Sequence, residues 1–344
     1  VSTAQVSALA LGGASLLAAC GDDPKSGSST EAGPDKFGDL NFQLAWLFIA
    51  EWAGEYMADK KGFWEDEGFS SSTLTPGGAN AGAAETQLVQ KNAFAAYSTM
   101  DLTATAVLKG APVKIIGTMY QKSPLCILSM ADDPINSPDE LIGRKIGVSA
   151  GNLPTYEAFL KANGIKSSDI TRVPVQNDPL PLTTGVADAW FGYFYNEPAI
   201  LKQKGFDTTS FLLADFNYPL SGNPIVVLQE SIDKERDKVK AMLRGAIRGQ
   251  KANIADPGAG ADLAVNDYGK DLGMDLQEQT TENELAIQLM VTDDTKKNGL
   301  YTMSEASIAA NLETLALGGH ELTADQLFDT SLLQEVYAED PSLI

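Results

Sequence analysis

Three of the four tryptophans, Trp46, Trp52 and Trp190, fall in short segments that also carry Tyr56, Tyr97, Tyr120, Tyr156, Tyr193, Tyr195 and Tyr218. The same segments hold the acids Glu51, Glu55, Asp101, Glu157, Asp188, Glu197 and Asp215, and one basic residue, Lys122. Aromatic side chains stack on flat rings, and carboxylates accept N–H donors. A cationic ring gains further from the aromatic faces. An anionic ligand would call for arginine forks, which these segments lack. The chemistry on offer is recognition of an aromatic nitrogen heterocycle. The contact candidates are Trp46, Trp52, Tyr56, Tyr97, Asp101, Tyr120, Asn152, Tyr156, Trp190, Tyr193, Tyr195, Asn196, Glu197 and Asp215.

Catalysis finds little to work with. There is one histidine, His320, in Leu317-Gly-Gly-His-Glu321, which reads as a surface loop. No Gly-x-Ser-x-Gly elbow occurs, and no His/Cys/Asp cluster has metal-ligand spacing. The expectation is a protein with no catalytic residue, no metal and no cofactor. Several of the singled-out features have two readings. Pro76-Gly-Gly-Ala-Asn80 either cradles an anionic group at a helix N-terminus or simply turns from strand to helix. Trp46 and Trp190 are ligand contacts or core residues. Glu197, fixed before Pro198, accepts from a ligand or caps the next helix. Trp64 reads as packing, and Glu65-Asp-Glu67 as a solvated helix end.

Positioning those segments requires alternating strands and helices. The pattern predicts strands over 42–48, 69–75, 93–98 and 113–119, with helices over 51–61, from the Pro76 turn to Gln90, and near 102–109. It then repeats: strand 145–149, helix 154–163, strand 171–174, helix 180–184, strand 187–192. Cys126 reads as a buried strand residue. Alternation of this kind means an α/β domain, and its repetition means two. Beyond Ser231 the chain turns helical, with helices over 232–253, 260–268, 280–292 and 304–317. The expected division is one lobe from 37–119 and 224–344 and a second from 122–220, joined near Tyr120–Lys122 and Ser221–Pro224. Ligands of open α/β sheets sit outside the carboxyl ends of the strands, so two such lobes would form a cleft lined by the segments above.

The beginning of the chain has a different character. Val6–Cys20 is an apolar, small-residue run, too short for a comfortable membrane span but suited to the core of a signal peptide. Leu17-Ala-Ala-Cys20 has lipobox spacing, so residues 1–19 read as a signal peptide and Cys20 as a lipidated mature N-terminus. No basic stretch precedes the apolar run, so further residues are expected upstream. The tether, 20–36, is rich in Gly, Ser, Pro and Asp and lacks any apolar period. Acyl chains on Cys20 would hold the protein to the outer face of a membrane. With 46 acidic and 25 basic residues in 344, the formal net charge is −21, which repels nucleic acid and anionic headgroups.

Trp46–Trp64, running on through Tyr56-Met-Ala-Asp-Lys-Lys-Gly-Phe-Trp-Glu-Asp-Glu-Gly-Phe69, resembles the opening of a type II periplasmic-binding-protein family. That family groups binders of aliphatic sulfonates, thiamine pyrimidine precursors and riboflavin. Gly110-Ala-Pro-Val-Lys-Ile-Ile116, Ser137–Gly147 and Val186-Ala-Asp-Ala-Trp190 extend the resemblance over roughly residues 40–335. Asn196-Glu-Pro198 after a Trp/Tyr-rich strand is similar to the pyrimidine and flavin branches more than to the sulfonate branch. The resemblance implies a two-lobed α/β fold, each lobe a mixed sheet flanked by helices. It also implies a monomeric, extracytoplasmic substrate-binding protein that serves an ABC permease. Riboflavin stands slightly ahead of a thiamine pyrimidine precursor as ligand. A taurine-like sulfonate is the alternative. A pyrimidine-processing enzyme is the remote one, since such enzymes use a histidine and a cysteine-rich motif that this chain lacks.

Overall fold

In this computed structural model the described residues are 36–78, 81–176 and 178–344. The signal peptide, Cys20, all but the last tether residue and Asn80 lie outside them. Two five-stranded sheets organise the chain. The first has the order β2-β1-β3-β10-β4 and comprises β1 (Asp39–Gln43), β2 (Ser71–Thr75), β3 (Ala95–Tyr97), β4 (Val113–Tyr120) and β10 (Gly222–Leu228). The second has the order β7-β6-β8-β5-β9, from β5 (Leu125–Met130), β6 (Lys145–Ser149), β7 (Thr171–Val175), β8 (Ala189–Tyr193) and β9 (Thr208–Leu212). Both sheets are mixed, as expected of the fold class.

Each sheet has one interior strand running against its neighbours. β10 is antiparallel to β3 and β4, and β5 is antiparallel to β8 and β9. These are the strands on which the chain enters the second sheet and returns to the first. The two passages, after Tyr120 and before Gly222, run side by side: the Ser123 N–H donates to the Leu220 carbonyl at 2.7 Å. Period-2 alternation along β5 sends Cys126 and Leu128 to one face and Ile127 to the other, into separate apolar clusters. Cys126 is a free, buried strand thiol.

Helices pack closely on the first sheet because glycines allow it. Helix Ala53–Lys60 crosses helix Arg236–Ala255 at Gly54 and Gly249, where an added Cβ would lie 1.7 Å from the Gln250 Oε1 and 2.3 Å from the Gly54 carbonyl oxygen. Side-chain caps start several helices. Thr99 accepts from the Leu102 N–H, and Asp275 accepts from the Glu278 N–H at the head of helix Leu276–Met290. The strand expected over 42–48 ends at Gln43. Pro76 offers no N–H to continue the ladder, and the Gln43 amide turns to donate to the Thr75 and Pro76 carbonyls. The single helix expected over 232–253 breaks at Glu235, whose backbone (φ −128°, ψ 32°) leaves helical geometry.

Candidate ligand-binding site between the lobes

Of the segments expected to line a cleft, those bearing Glu51, Tyr120 and Tyr195 touch one another across the two sheets, and the side chains of the whole set divide into exposed and buried ones. After β1 the chain makes a loop over 44–49, locked to the turn after β2 by the Gly77 N–H on the Trp46 carbonyl at 2.7 Å. Gly77 is required there, because a Cβ would sit 2.4 Å from the Ala45 carbonyl atoms. Trp52 and Tyr56 hold the loop from beneath: the indole N–H donates to the Leu47 carbonyl (3.1 Å) and the phenol to the Ile49 carbonyl (3.0 Å). Both rings are fully buried. Trp52 packs on Tyr97 with centroids 5.0 Å apart, and Tyr56 stacks on Tyr268 at 4.2 Å. Above them Trp46 stays 41% exposed, and from the second lobe Tyr193 stays 36% exposed. These two rings keep part of their surface exposed.

The other candidates are placed differently. Trp190 lies on the face of its sheet away from Ala189 and Phe191, pressed over Gly147, where a Cβ would stand 2.7 Å from the indole. Tyr156 is buried in the second lobe, edge-on to Phe191. Glu197 is tied inward: its Oε2 accepts the Tyr193 N–H at 2.7 Å, and its carboxyl carbon would meet a Cβ on Gly192 at 2.6 Å. Burial, partly offset by that hydrogen bond, pushes it up to about 7. Asp215 pairs with Lys122, the one basic residue of these segments, at 2.5 Å on the surface. Asp101 accepts from the Thr99 hydroxyl beside the head of its helix, and Asn152 precedes helix Leu153–Ala162.

Tyr195, Asn196, Tyr97 and Tyr120 converge with residues outside the expected set. The Tyr195 hydroxyl donates to Glu51 across the lobes, and the Asn223 amide donates to the same Glu51 oxygen at 2.8 Å. Asn196 reaches Glu282 at 3.4 Å. Gln279 donates to Glu282 at 2.8 Å while accepting the Ala50 N–H at 2.8 Å, so it couples helix Leu276–Met290 to the turn bearing Glu51. One helical turn on, Glu55 accepts from Tyr97 (2.6 Å) and Tyr301 (3.3 Å). Tyr301 holds a left-handed backbone (φ 66°), a strained choice for a ring-bearing residue. Its carbonyl accepts the Thr118 N–H at 2.9 Å.

Glu51, Glu55 and Glu282 are buried with no basic side chain in ion-pair reach among the described residues. Desolvation disfavours their charged forms. Burial raises Glu51 against the hydrogen bonds from Tyr195 and Asn223, takes Glu55 up to about 7, and takes Glu282 up to about 8 with Glu51 adding repulsion. Glu51 and Glu55 stood in the cleft segments of the sequence without being chosen as contacts. Glu282 and Asn223 carried no local signal at all.

One open concavity, about 580 Å³, is lined by Pro154, Glu157, Lys161 and Leu317 and contains none of these groups. Its chemistry is that of surface lysines and backbone. Two further concavities, one beside Lys114 and Gln334 and one beside Phe37 and Asp237, also lack them, and the buried acids are the better candidate.

Residues 49–259, more than half of the chain, match the family described as NMT1/THI5 like. The chain belongs to the NMT1/THI5-like family. Among curated proteins it is similar to the riboflavin-binding protein RibY of Chloroflexus aurantiacus, 27% identical over 240 residues. That match spans 65% of this chain and 63% of the relative's length. Among solved structures it is similar to the periplasmic aliphatic sulphonate binding protein SsuA of Escherichia coli, with a TM-score of 0.62 at 15% identity. The superposition covers 81% of this chain and 86% of that one. The desulfurization enzyme DSZB superposes with a TM-score of 0.59 at 12% identity, over 87% and 99% of the two chains. The fold of this NMT1/THI5-like chain is therefore the type II periplasmic-binding-protein fold, which binding proteins and an enzyme both use.

Proposed function

We infer that this chain is the extracytoplasmic substrate-binding protein of an ABC importer, closing two lobes on an aromatic nitrogen heterocycle of the flavin or pyrimidine kind. The observation that carries the reading is the polar bridge between the sheets. Tyr195 and Asn196 of one lobe reach Glu51 and Glu282 of the other, while Trp46, on the loop before Glu51, and Tyr193, beside Tyr195, keep half-exposed rings. Rings to stack on and buried acceptors for N–H groups are what a nitrogen heterocycle uses. The kinship with a riboflavin-binding protein supports the same class.

In this reading the lobes are 37–119 with 224–344, and 122–220. The paired passages after Tyr120 and before Gly222 act as the hinge on which they open. Cys20, outside the described residues, carries the lipid that keeps the protein beside its permease. Ligand leaves chemically unchanged. Tryptophan fluorescence and calorimetry against riboflavin, hydroxymethylpyrimidine and taurine test this, with mass spectrometry of the recovered compound. Saturable binding of a heterocycle recovered intact is expected. Tight taurine binding without response to either heterocycle, or protein-dependent conversion of the ligand, would refute it.

A further inference from the structure

Three carboxylates between the lobes lack any charge partner among the described residues, and their neutral neighbours do not use up their acceptors. Glu51 takes Tyr195 and Asn223, Glu55 takes Tyr97 and Tyr301, and Glu282 takes Gln279 and Asn196. The Glu55 Oε2 and Glu282 Oε1 remain buried without a partner. An independent group shares the condition. Tyr120, the last residue of β4, is 0% exposed, and its hydroxyl faces Glu51 without completing a well-formed hydrogen bond. The charges of Glu51, Glu282 and Glu55 all act on that phenol, and its ring stands 5.8 Å from Tyr195, so it belongs to the same cluster. Buried polar atoms left unpaired are costly and uncommon, and a ligand that supplies donors removes the cost.

We propose that this cluster receives a positively charged nitrogen group with two or more N–H donors, carried by the ligand of the interlobe site. The inference rests on the interlobe reading above but not on the identity of the ring. The free oxygens of Glu282 and Glu55 can each accept, and the Tyr120 hydroxyl, on which the charges of all three acids act, can accept or donate, which suits an amino group on a cationic ring or an alkylammonium. A metal ion is a poorer fit, since no three acidic, histidine or cysteine side chains among the described residues are gathered as its ligands. A sulfonate would add negative charge to buried acids.

Charge has a second consequence. With Glu55 near 7, Glu282 near 8 and Glu51 raised, the ligand-free cluster holds protons at neutral pH. Glu278, on the same helix, adds to the repulsion at Glu282. The phenols facing the cluster, Tyr56, Tyr97, Tyr120, Tyr195 and Tyr301, are all held well above their ordinary value by burial and stay neutral. An arriving cation favours the ionised carboxylates, so binding expels protons.

The test is calorimetry on the full chain at pH 7 in two buffers of different ionisation enthalpy. The probes are thiamine (a fixed cation with an aminopyrimidine), putrescine (an aliphatic dication) and riboflavin (neutral). A cation should bind with proton release, and Glu282→Gln should weaken it about tenfold or more, as loss of a charge-assisted hydrogen bond does. The buffer dependence of the unmodified protein gives the answer even if the variant folds poorly. Riboflavin binding without proton release, with both cations inert at millimolar concentration, overturns the cation and leaves the heterocycle standing. Putrescine binding with proton release, with both heterocycles inert, upholds the cation and overturns the ring. Wherever neither cation binds, the inference fails.

Discussion

Replacing Glu282 by glutamine keeps the shape of the side chain and removes its charge. The amide carbonyl can still accept from Gln279 and Asn196, and its NH2 takes the place of the unpartnered Oε1 beside Glu51. In the folded chain Glu282 loses its proton near 8 instead of 4.5, chiefly because burial penalises the carboxylate. Between those values the folded state holds a proton that the unfolded state gives up. Stability therefore falls as pH rises, with no penalty below about 4.5 and the full penalty above about 8. At roughly 1.4 kcal/mol per unit, the penalty at pH 8 exceeds that at pH 5 by about 3 kcal/mol. The side chain is fully buried, so solvent screening does not reduce it. Urea unfolding of ligand-free protein at pH 5 and pH 8 should show Glu282→Gln near parity at pH 5. At pH 8 it should be more stable by about 3 kcal/mol, on the order of 6 °C in Tm. Parallel curves for the two proteins across this range would mean that Glu282 is hydrated or cation-paired, and the argument from burial would be wrong.

Other expectations separate ligand contacts from supports. Trp46→Ala, at a half-exposed ring, should weaken heterocycle binding by about tenfold while stability moves by no more than about 0.5 kcal/mol. Trp190→Ala should instead cost about 3–5 kcal/mol in chemical denaturation, because it empties a packed site over Gly147. Gly192→Ala should cost about 1–3 kcal/mol by forcing Glu197 off the Tyr193 N–H, again read by denaturation. Tyr195→Phe removes the donor that joins the lobes at Glu51. X-ray scattering of the ligand-free variant should show a larger radius of gyration, and an unchanged value would deny this bond a part in closure. Cys20→Ala, expressed behind its complete signal peptide, should leave the membrane fraction for the soluble one.

Most of the architecture was legible because it depends on local patterns. Gly62 and Gly164, both with left-handed φ, stop helices where the sequence placed the stops. The strands that escaped notice, β9 and β10, are ones whose identity is set by distant partners. β10 carries Pro224 and lies between β3 and β4, and its antiparallel sense follows from the chain's return and not from anything in Gly222–Leu228 itself. The strand expected to reach Phe48 stops at Gln43 for a similar reason. The glutamine amide and a proline thirty-odd residues later decide where the ladder ends.

The site was legible in composition and less so in the assignment of parts. Tyr195 and Asn196 do reach Glu51 and Glu282 across the sheets, yet a tryptophan in sequence does not say which of its faces is free. Trp52 and Tyr56 spend their polar atoms on the Leu47 and Ile49 carbonyls, holding up the loop that displays Trp46. The acids show the same ambiguity in reverse. Glu197, in a motif that drew attention, turns inward to a backbone N–H, whereas Glu282, in the polar-looking run Gln277-Glu-Gln-Thr-Thr-Glu282, becomes one of the most deeply buried carboxylates. What distinguishes Glu282 is the absence of any nearby cation, which only the packed chain can express. A buried acid with a base beside it is a finished salt bridge. One that faces two other acids, a free phenol and no base is chemically incomplete, and the protein tolerates it by keeping protons there until something better arrives.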